Sequence, residues 1–138
     1  MAAECIFCRI IRGELPAALV YQDDAVVAFM DIAPVNPGHL LVVPRTHAAG
    51  LGDLPEASGG AMFAAAQRLA GALRRSRLRC EGINLFLADG AVAGQEVFHV
   101  HLHVLPRFAG DAVRFTWPRT RPTRQELEEA AAAVRERL

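Results

Sequence analysis

Five histidines (His39, His47, His99, His101 and His103) and the pair Cys5-x-x-Cys8 are the residues of this chain whose types and spacing could do chemistry. Three of the histidines alternate as His99-Val100-His101-Leu102-His103. In an extended strand alternate side chains share a face. Three imidazoles spaced by about 7 Å would line one side, while Val100, Leu102 and Val104 enter a core on the other. An imidazole near neutral pH is at once a nucleophile, a proton donor and a metal ligand. On the residues alone three uses stay open: a phosphate-directed nucleophile, a metal site of alternate histidines, and a polar strand face turned to water. The flanking residues favour phosphate. Asp89-Gly90-Ala91-Val92-Ala93-Gly94-Gln95 reads as a glycine-containing turn running into the strand, and such a turn can aim backbone N–H groups at an anion. Gln95 adds a neutral donor.

The cysteines number three in all, and an odd count with one close pair argues against a disulfide framework. A metal pair, a redox pair and two free surface thiols are the readings left for Cys5 and Cys8, in a reducing cytoplasmic setting. No strand–helix–strand context supports thioredoxin-like chemistry. Cys80 stands alone and reads as a small buried hydrophobe.

These groups must be positioned by a chain of 138 residues, 52% hydrophobic, which is read as one domain over 1–138 with a real core. Fifteen basic residues balance fifteen acidic ones, so nothing in the charge calls for nucleic acid or an acidic membrane as partner. No segment has the pattern of a secretory signal or a membrane span. Cys8 to Arg12 reads as a helical turn closed by Gly13. Leu19 to Gln22 and Ala25 to Asp31 flank Asp23-Asp24 as a hairpin. Gly38 to Pro44 holds a buried strand. Ala61 to Arg77 is predicted as the main helix, with Met62, Ala66, Leu69 and Leu73 on its apolar stripe. Ile83, Leu85 and Leu87 alternate as a strand, and Val97 to Leu105 alternates most strictly of all. Thr123 and Glu126 have capping-box spacing at the start of a last helix. Five strands and two main helices without strand–helix alternation indicate α+β with an antiparallel sheet.

Three ordered blocks carry a family resemblance. Gly94-Gln95-x-Val97-x-His99-Val100-His101-Leu102-His103-Val104-Leu105-Pro106 resembles the histidine-triad (HIT) signature. Asp31-Ile32-x-Pro34-x-x-Pro37-Gly38-His39-x-Leu41-Val42-Val43-Pro44-Arg45-x-His47 resembles the second block of that superfamily. Ile6-Phe7-Cys8-x-Ile10-Ile11-x-Gly13-Glu14-x-Pro16 resembles its opening segment. The likeness covers about residues 4–110, which leaves 111–138 as a C-terminal extension and helix. It implies the HIT-like fold, a five-stranded antiparallel sheet with a main helix and a C-terminal helix.

The resemblance also implies roles. His101 would attack a nucleotide α-phosphate, and His103 would contact phosphate oxygens. His99 would support the strand, and Gln95 with Gly94 would hold the phosphate or leaving-group side. Asp31 would accept from ribose hydroxyls. Ile6, Phe7, Ile10, Phe29 and Ile32 would form the slot for the base, with His39 close to the triad. Cys5, Cys8, His47 and His99 would hold a structural Zn2+ in a closed tetrahedral shell. Two positions depart from the pattern: Ala88 stands where many relatives have Asn, and Glu96 where many have Ser or Thr. The implied activity is hydrolysis of purine nucleoside phosphoramidates or dinucleoside polyphosphates through a nucleotidyl-histidine. The rival is a nucleotide-binding or zinc-stabilised interaction protein with weak or vestigial catalysis. A purine nucleotide, AMP- or GMP-like, is the expected ligand. A homodimer is the expected assembly, with small residues such as Gly59, Gly60 and Ala64 allowing close approach, and with Trp117 reaching the partner's site.

Overall fold

A computed structural model describes residues 5–138. The elements in order are α1 (Ile6–Ile11), β1 (Leu19–Gln22), β2 (Val26–Met30), β3 (Leu40–Pro44), α2 (Glu56–Arg75), β4 (Gly82–Phe86), β5 (Leu102–Arg107) and α3 (Arg124–Arg135). All strand pairs are antiparallel, in the order β1-β2-β3-β5-β4, so the predicted α+β class and five-stranded sheet are found.

The sheet is buried on both faces at its centre, which is why β3 reads as an unbroken apolar run. Val26, Ala28, Leu40, Val42 and Val104 meet the predicted stripe of α2, Met62, Ala66, Leu69 and Leu73, together with Ala65. On the opposite face Val27, Phe29, Leu41 and Val43 meet Phe7 of α1. That second layer is thin. The six residues of α1 are too few to be stable alone, so α1 depends on what clamps it to the sheet. Among the described residues no helix is long and apolar enough to cross a membrane.

Several boundaries differ from expectation, among them the start of α1, which is Ile6 and not Cys8. The main helix begins at Glu56, not Ala61, because Ser58 and Gly59 already donate to the Pro55 carbonyl and Glu56 sits at the positive end of the helix dipole. It ends at Arg75, where the Ser76 hydroxyl turns back to the Leu73 carbonyl. The strictly alternating segment is strand only from Leu102, not from Val97. Pro44 has no N–H with which to extend the β3 ladder, and its carbonyl accepts from the His99 ring at 2.8 Å. Residues 97–101 run beside the 45–50 loop instead, with Val100 N–H donating to Ala48 at 2.7 Å. At the other end of the chain the capping box of Thr123 and Glu126 is present, yet α3 buries none of its residues.

Candidate active site: one cleft between two side-chain clusters

The segment from Gly94 to His103 places the three triad histidines in three different settings. His99 is fully buried and reaches back beneath the sheet. Its Nε2–H donates to Pro44, which leaves the Nδ1 lone pair free. Cys5 Sγ lies 3.3 Å from that nitrogen, Cys8 Sγ 3.5 Å and His47 Nδ1 3.1 Å, while Cys8 Sγ is 3.4 Å from His47 Nδ1. Zinc bonds of about 2.3 Å to sulfur and about 2.05 Å to nitrogen at the tetrahedral angle set sulfur–nitrogen separations of about 3.6 Å and nitrogen–nitrogen separations of about 3.3 Å. These four separations lie near that frame, and all four donors fall within 4.8 Å of one another. Burial beside a second sulfur pushes the Cys8 thiol up, a cost that a cation between the sulfurs would cancel. The Cys2His2 set proposed from the motif is therefore brought together and is compatible with zinc. Cys5 also starts α1, its sulfur accepting from the Cys8 amide.

His101 sits above this cluster with Phe7 edge-on to its ring at 5.0 Å. Its Nδ1 donates to the His99 carbonyl at 2.8 Å. The ring is thus the tautomer whose Nε2 carries the lone pair. No described group bonds that nitrogen, and no unpartnered side-chain nitrogen is buried, so it opens to the cleft.

His103 lies one strand position further, its ring centroid 5.0 Å from that of His101 and 5.1 Å from that of Phe86. His39 approaches from the residue before β3, because the register sets Leu41 opposite His103. His39 Nε2 is 2.9 Å from His103 Nδ1 and 3.5 Å from Asp31 Oδ2. Burial and the neighbouring His101 pull His103 down to about 4, so it is neutral at physiological pH. Burial lowers His39 as well, partly opposed by Asp31.

The cleft between these groups has a volume of about 520 Å³, within the range of nucleotide-sized pockets. Ile6, Phe7, Ile10, Phe29, Asp31, Ile32, His39, Gly94, His101 and His103 all border it. Leu41, Val97 and Phe86 border it too and were not singled out in the sequence. The Phe29–Leu41 pairing of β2 with β3 would have pointed to Leu41 once the register was known.

Gln95 turns inward. It is buried, and its amide is spent inside the protein: Oε1 accepts from Gly90 N–H at 2.8 Å, and Nε2 donates to the carbonyls of Ala49 at 2.6 Å and Val97 at 3.1 Å. With both amide hydrogens used, Gln95 braces the turn from inside the protein. The turn itself keeps free donors. The N–H groups of Glu96 and Val97, at the cleft, have no acceptor among the described residues. Ala88 is buried and apolar, and Glu96 is exposed at the cleft rim.

Comparison with known proteins places this geometry. The HIT domain family profile matches residues 12–110. A HIT-like protein of Borreliella burgdorferi is 44% identical over 113 residues, covering 81% of either chain. A Zn-bound histidine triad family protein from Mycobacterium smegmatis is 40% identical, with a TM-score of 0.80 and 99% of each chain covered. A histidine triad nucleotide-binding protein from Candida albicans is 27% identical, with a TM-score of 0.86 and 96% of each chain covered.

Proposed function

The chain belongs to the HIT domain family, and on that premise we propose that it is a nucleotide hydrolase acting through a nucleotide covalently bonded to His101. The observation that carries the reading is the His101 tautomer. Its Nδ1–H is held by the His99 carbonyl, and its lone pair on Nε2 opens to a nucleotide-sized cleft. A neutral imidazole can approach an anionic phosphate without repulsion. In the first step Nε2 forms an N–P bond to the α-phosphorus, and the bond to the leaving group breaks. The leaving group departs with the electron pair and takes a proton from water. In the second step water attacks phosphorus, the N–P bond breaks, and the pair returns to Nε2 as the mononucleotide leaves. Two easier displacements replace one hard one. The free N–H groups of Glu96 and Val97 and the Nε2–H of His103 are the donors available to the phosphate oxygens. Ile6, Phe7, Ile10, Phe29 and Ile32 offer the apolar slot for a purine, and Asp31 at the other wall suits a ribose hydroxyl. Purine nucleoside phosphoramidates and dinucleoside polyphosphates are the substrate classes that combine these features.

Cys5, Cys8, His47 and His99 would hold one zinc. A closed four-ligand shell leaves no position for water, so the ion would tie α1 to the segment that carries His101 and supply structure only. A homodimer completes the reading. Phe63 on α2, and Leu127 and Val134 on α3, are exposed apolar side chains, and two copies could cover them.

Ala88 favours a second reading, nucleotide binding with little turnover, because its buried methyl group offers no donor to charge growing on a phosphate. One experiment separates the two. Hydrolysis of a substrate chiral at the α-phosphorus is expected to proceed with retention, the sum of two inversions. His101→Asn, which has no lone-pair nitrogen at that reach, is expected to bind mononucleotide normally and to lose roughly 4 kcal/mol of transition-state stabilisation, a thousandfold in rate. Inversion, or wild-type turnover in the variant, overturns the covalent route. Tight binding without turnover in the wild type supports the second reading.

A further inference from the structure

Asp31, His39 and His103 form a second cluster, and its donor atoms converge as those of a two-histidine, one-carboxylate metal site do. A backbone amide decides against that use. Val35 N–H donates to His39 Nδ1 at 3.1 Å, so Nδ1 must hold a lone pair and the His39 proton must sit on Nε2. A metal at Nε2 would need that proton moved to Nδ1, where it would face the Val35 hydrogen. The proton on His39 Nε2 points instead at His103 Nδ1, 2.9 Å away. A donor there forces His103 Nδ1 to accept, which leaves the only His103 proton on Nε2. No described group bonds His103 Nε2, and no unpartnered side-chain nitrogen is buried, so this N–H opens to the cleft beside His101.

We propose that His39 is a positioning residue, fixed by the Val35 amide as an Nε2–H donor, that holds His103 as the neutral tautomer whose own Nε2–H faces the reacting phosphate. The chain of constraint runs Val35 N–H, His39, His103, and each link is one hydrogen bond whose direction is set by the link before. The arrangement also opposes protonation of His103, because a proton on Nδ1 would meet the His39 proton head-on. A neutral N–H donor stabilises charge growing on a phosphate oxygen without holding the anionic product as an imidazolium would. The ionisable groups facing His103 are His39 and Asp31 on one side and His101 on the other, while β3 and β4 present only Leu41 and Phe86. The phosphate-facing role rests on the reading of His101 as nucleophile. The proton positions do not, and the test separates the two.

Long-range ¹H–¹⁵N NMR of the ¹⁵N-labelled full chain at pH 7, without nucleotide, reads the tautomers directly. His39 and His103 are expected to carry protons on Nε2 and none on Nδ1, and His103 is expected to stay neutral on titration to pH 5. In His39→Leu, which fills the space and donates nothing, His103 is expected to titrate at least one pH unit higher. In the same variant kcat is expected to fall about tenfold with KM little changed, and the kcat profile to gain the new titration. His39→Gln can donate to His103 and accept from Val35, and is expected to restore both the titration and most of kcat. A proton on His39 Nδ1 in the wild type, or His103 titrating near its ordinary value there, overturns the proposal even if no variant folds. So does a His39→Leu chain whose His103 titrates as in the wild type. If the wild-type tautomers are as expected but no substrate is turned over, the hydrolase reading fails and the proton arrangement stands.

Discussion

Two clusters flank His101, and each gathers histidines with acidic or thiol partners within ligating distance. One suits a metal and the other a hydrogen-bonded relay, and one backbone contact in each makes the difference. In the cluster of Cys5, Cys8, His47 and His99, the Pro44 carbonyl takes the Nε2–H of His99, which leaves the Nδ1 lone pair aimed at two sulfurs and a second imidazole. In the cluster of Asp31, His39 and His103, the Val35 amide occupies the lone pair of His39 and leaves a proton aimed inward. A carbonyl prepares a ligand, and an amide prepares a donor. Residue type and proximity alone do not tell a metal site from a proton arrangement. The backbone partner of the far ring nitrogen does.

The largest expected effect is at the first cluster. Cys8→Ala removes a buried sulfur and the metal with it, and is expected to cost roughly 3 kcal/mol or more, as single changes that delete a structural metal do. For a chain of this size that is a fall of roughly 10 °C in melting temperature. Elemental analysis should find one zinc per chain in the wild type and in His39→Leu, and none in Cys8→Ala. Two zinc ions per wild-type chain, one of them lost in His39→Leu, would break the comparison, since the second cluster would then be a metal site as well.

A smaller effect separates the clusters by pH. His103 is held at about 4 in the folded protein against an ordinary 6.5. Between those values the unfolded chain takes up a proton that the folded chain refuses. Stability is therefore complete above pH 6.5 and falls as the pH drops towards 4. One such proton sets a slope of at most about 1.4 kcal/mol per pH unit. Protonation of zinc thiolates acts in the same direction, so the difference between wild type and His103→Asn isolates the histidine. Thermal melts from pH 7 to 4.5 should fall less steeply in His103→Asn. Parallel curves would mean that His103 contributes nothing to the acid sensitivity.

Much of this arrangement could be read in the sequence, and the failures share a cause. The alternating histidines, the Cys5-x-x-Cys8 pair, the stripe of α2 and the capping box of α3 depend on spacing along one segment, and spacing is visible in a sequence. The direction of Gln95 is not. It depends on the Ala49 carbonyl and the Gly90 amide, which only the folded turn and the loop after β3 bring to one side chain. The start of β5 depends on Pro44, remote in sequence, which cannot extend the ladder. The link from His39 to His103 depends on the β3–β5 register. In each case the deciding partner is a backbone group from another element, and residue identity carries no trace of it.

The smallest expected effect belongs to Glu96 and concerns what neither cluster supplies. The relay offers neutral donors, and a zinc with two thiolates in a closed shell would carry no net charge. The formally charged side chains that border the cleft are Asp31 and Glu96, both acidic, while the ligand proposed for it is an anion. Asp31 has a ribose-facing use and is partly engaged, its Oδ1 accepting from Ala33 N–H at 2.9 Å. Glu96 has no described partner and is exposed, so its influence passes through water and must be modest. Glu96→Gln removes the charge and keeps the shape. It is expected to tighten an inert mononucleotide by about two- to threefold at low salt, the scale of one exposed charge interaction. The screening length falls from about 10 Å at 0.1 M salt to about 3 Å at 1 M. The gap between variant and wild type should therefore close on adding salt, as measured by calorimetry at both concentrations. Equal affinities at low salt would show that Glu96 points away from the bound anion. A gap that persists at 1 M would show a contact to the ligand and not a field, and would make Glu96 a third region of the site.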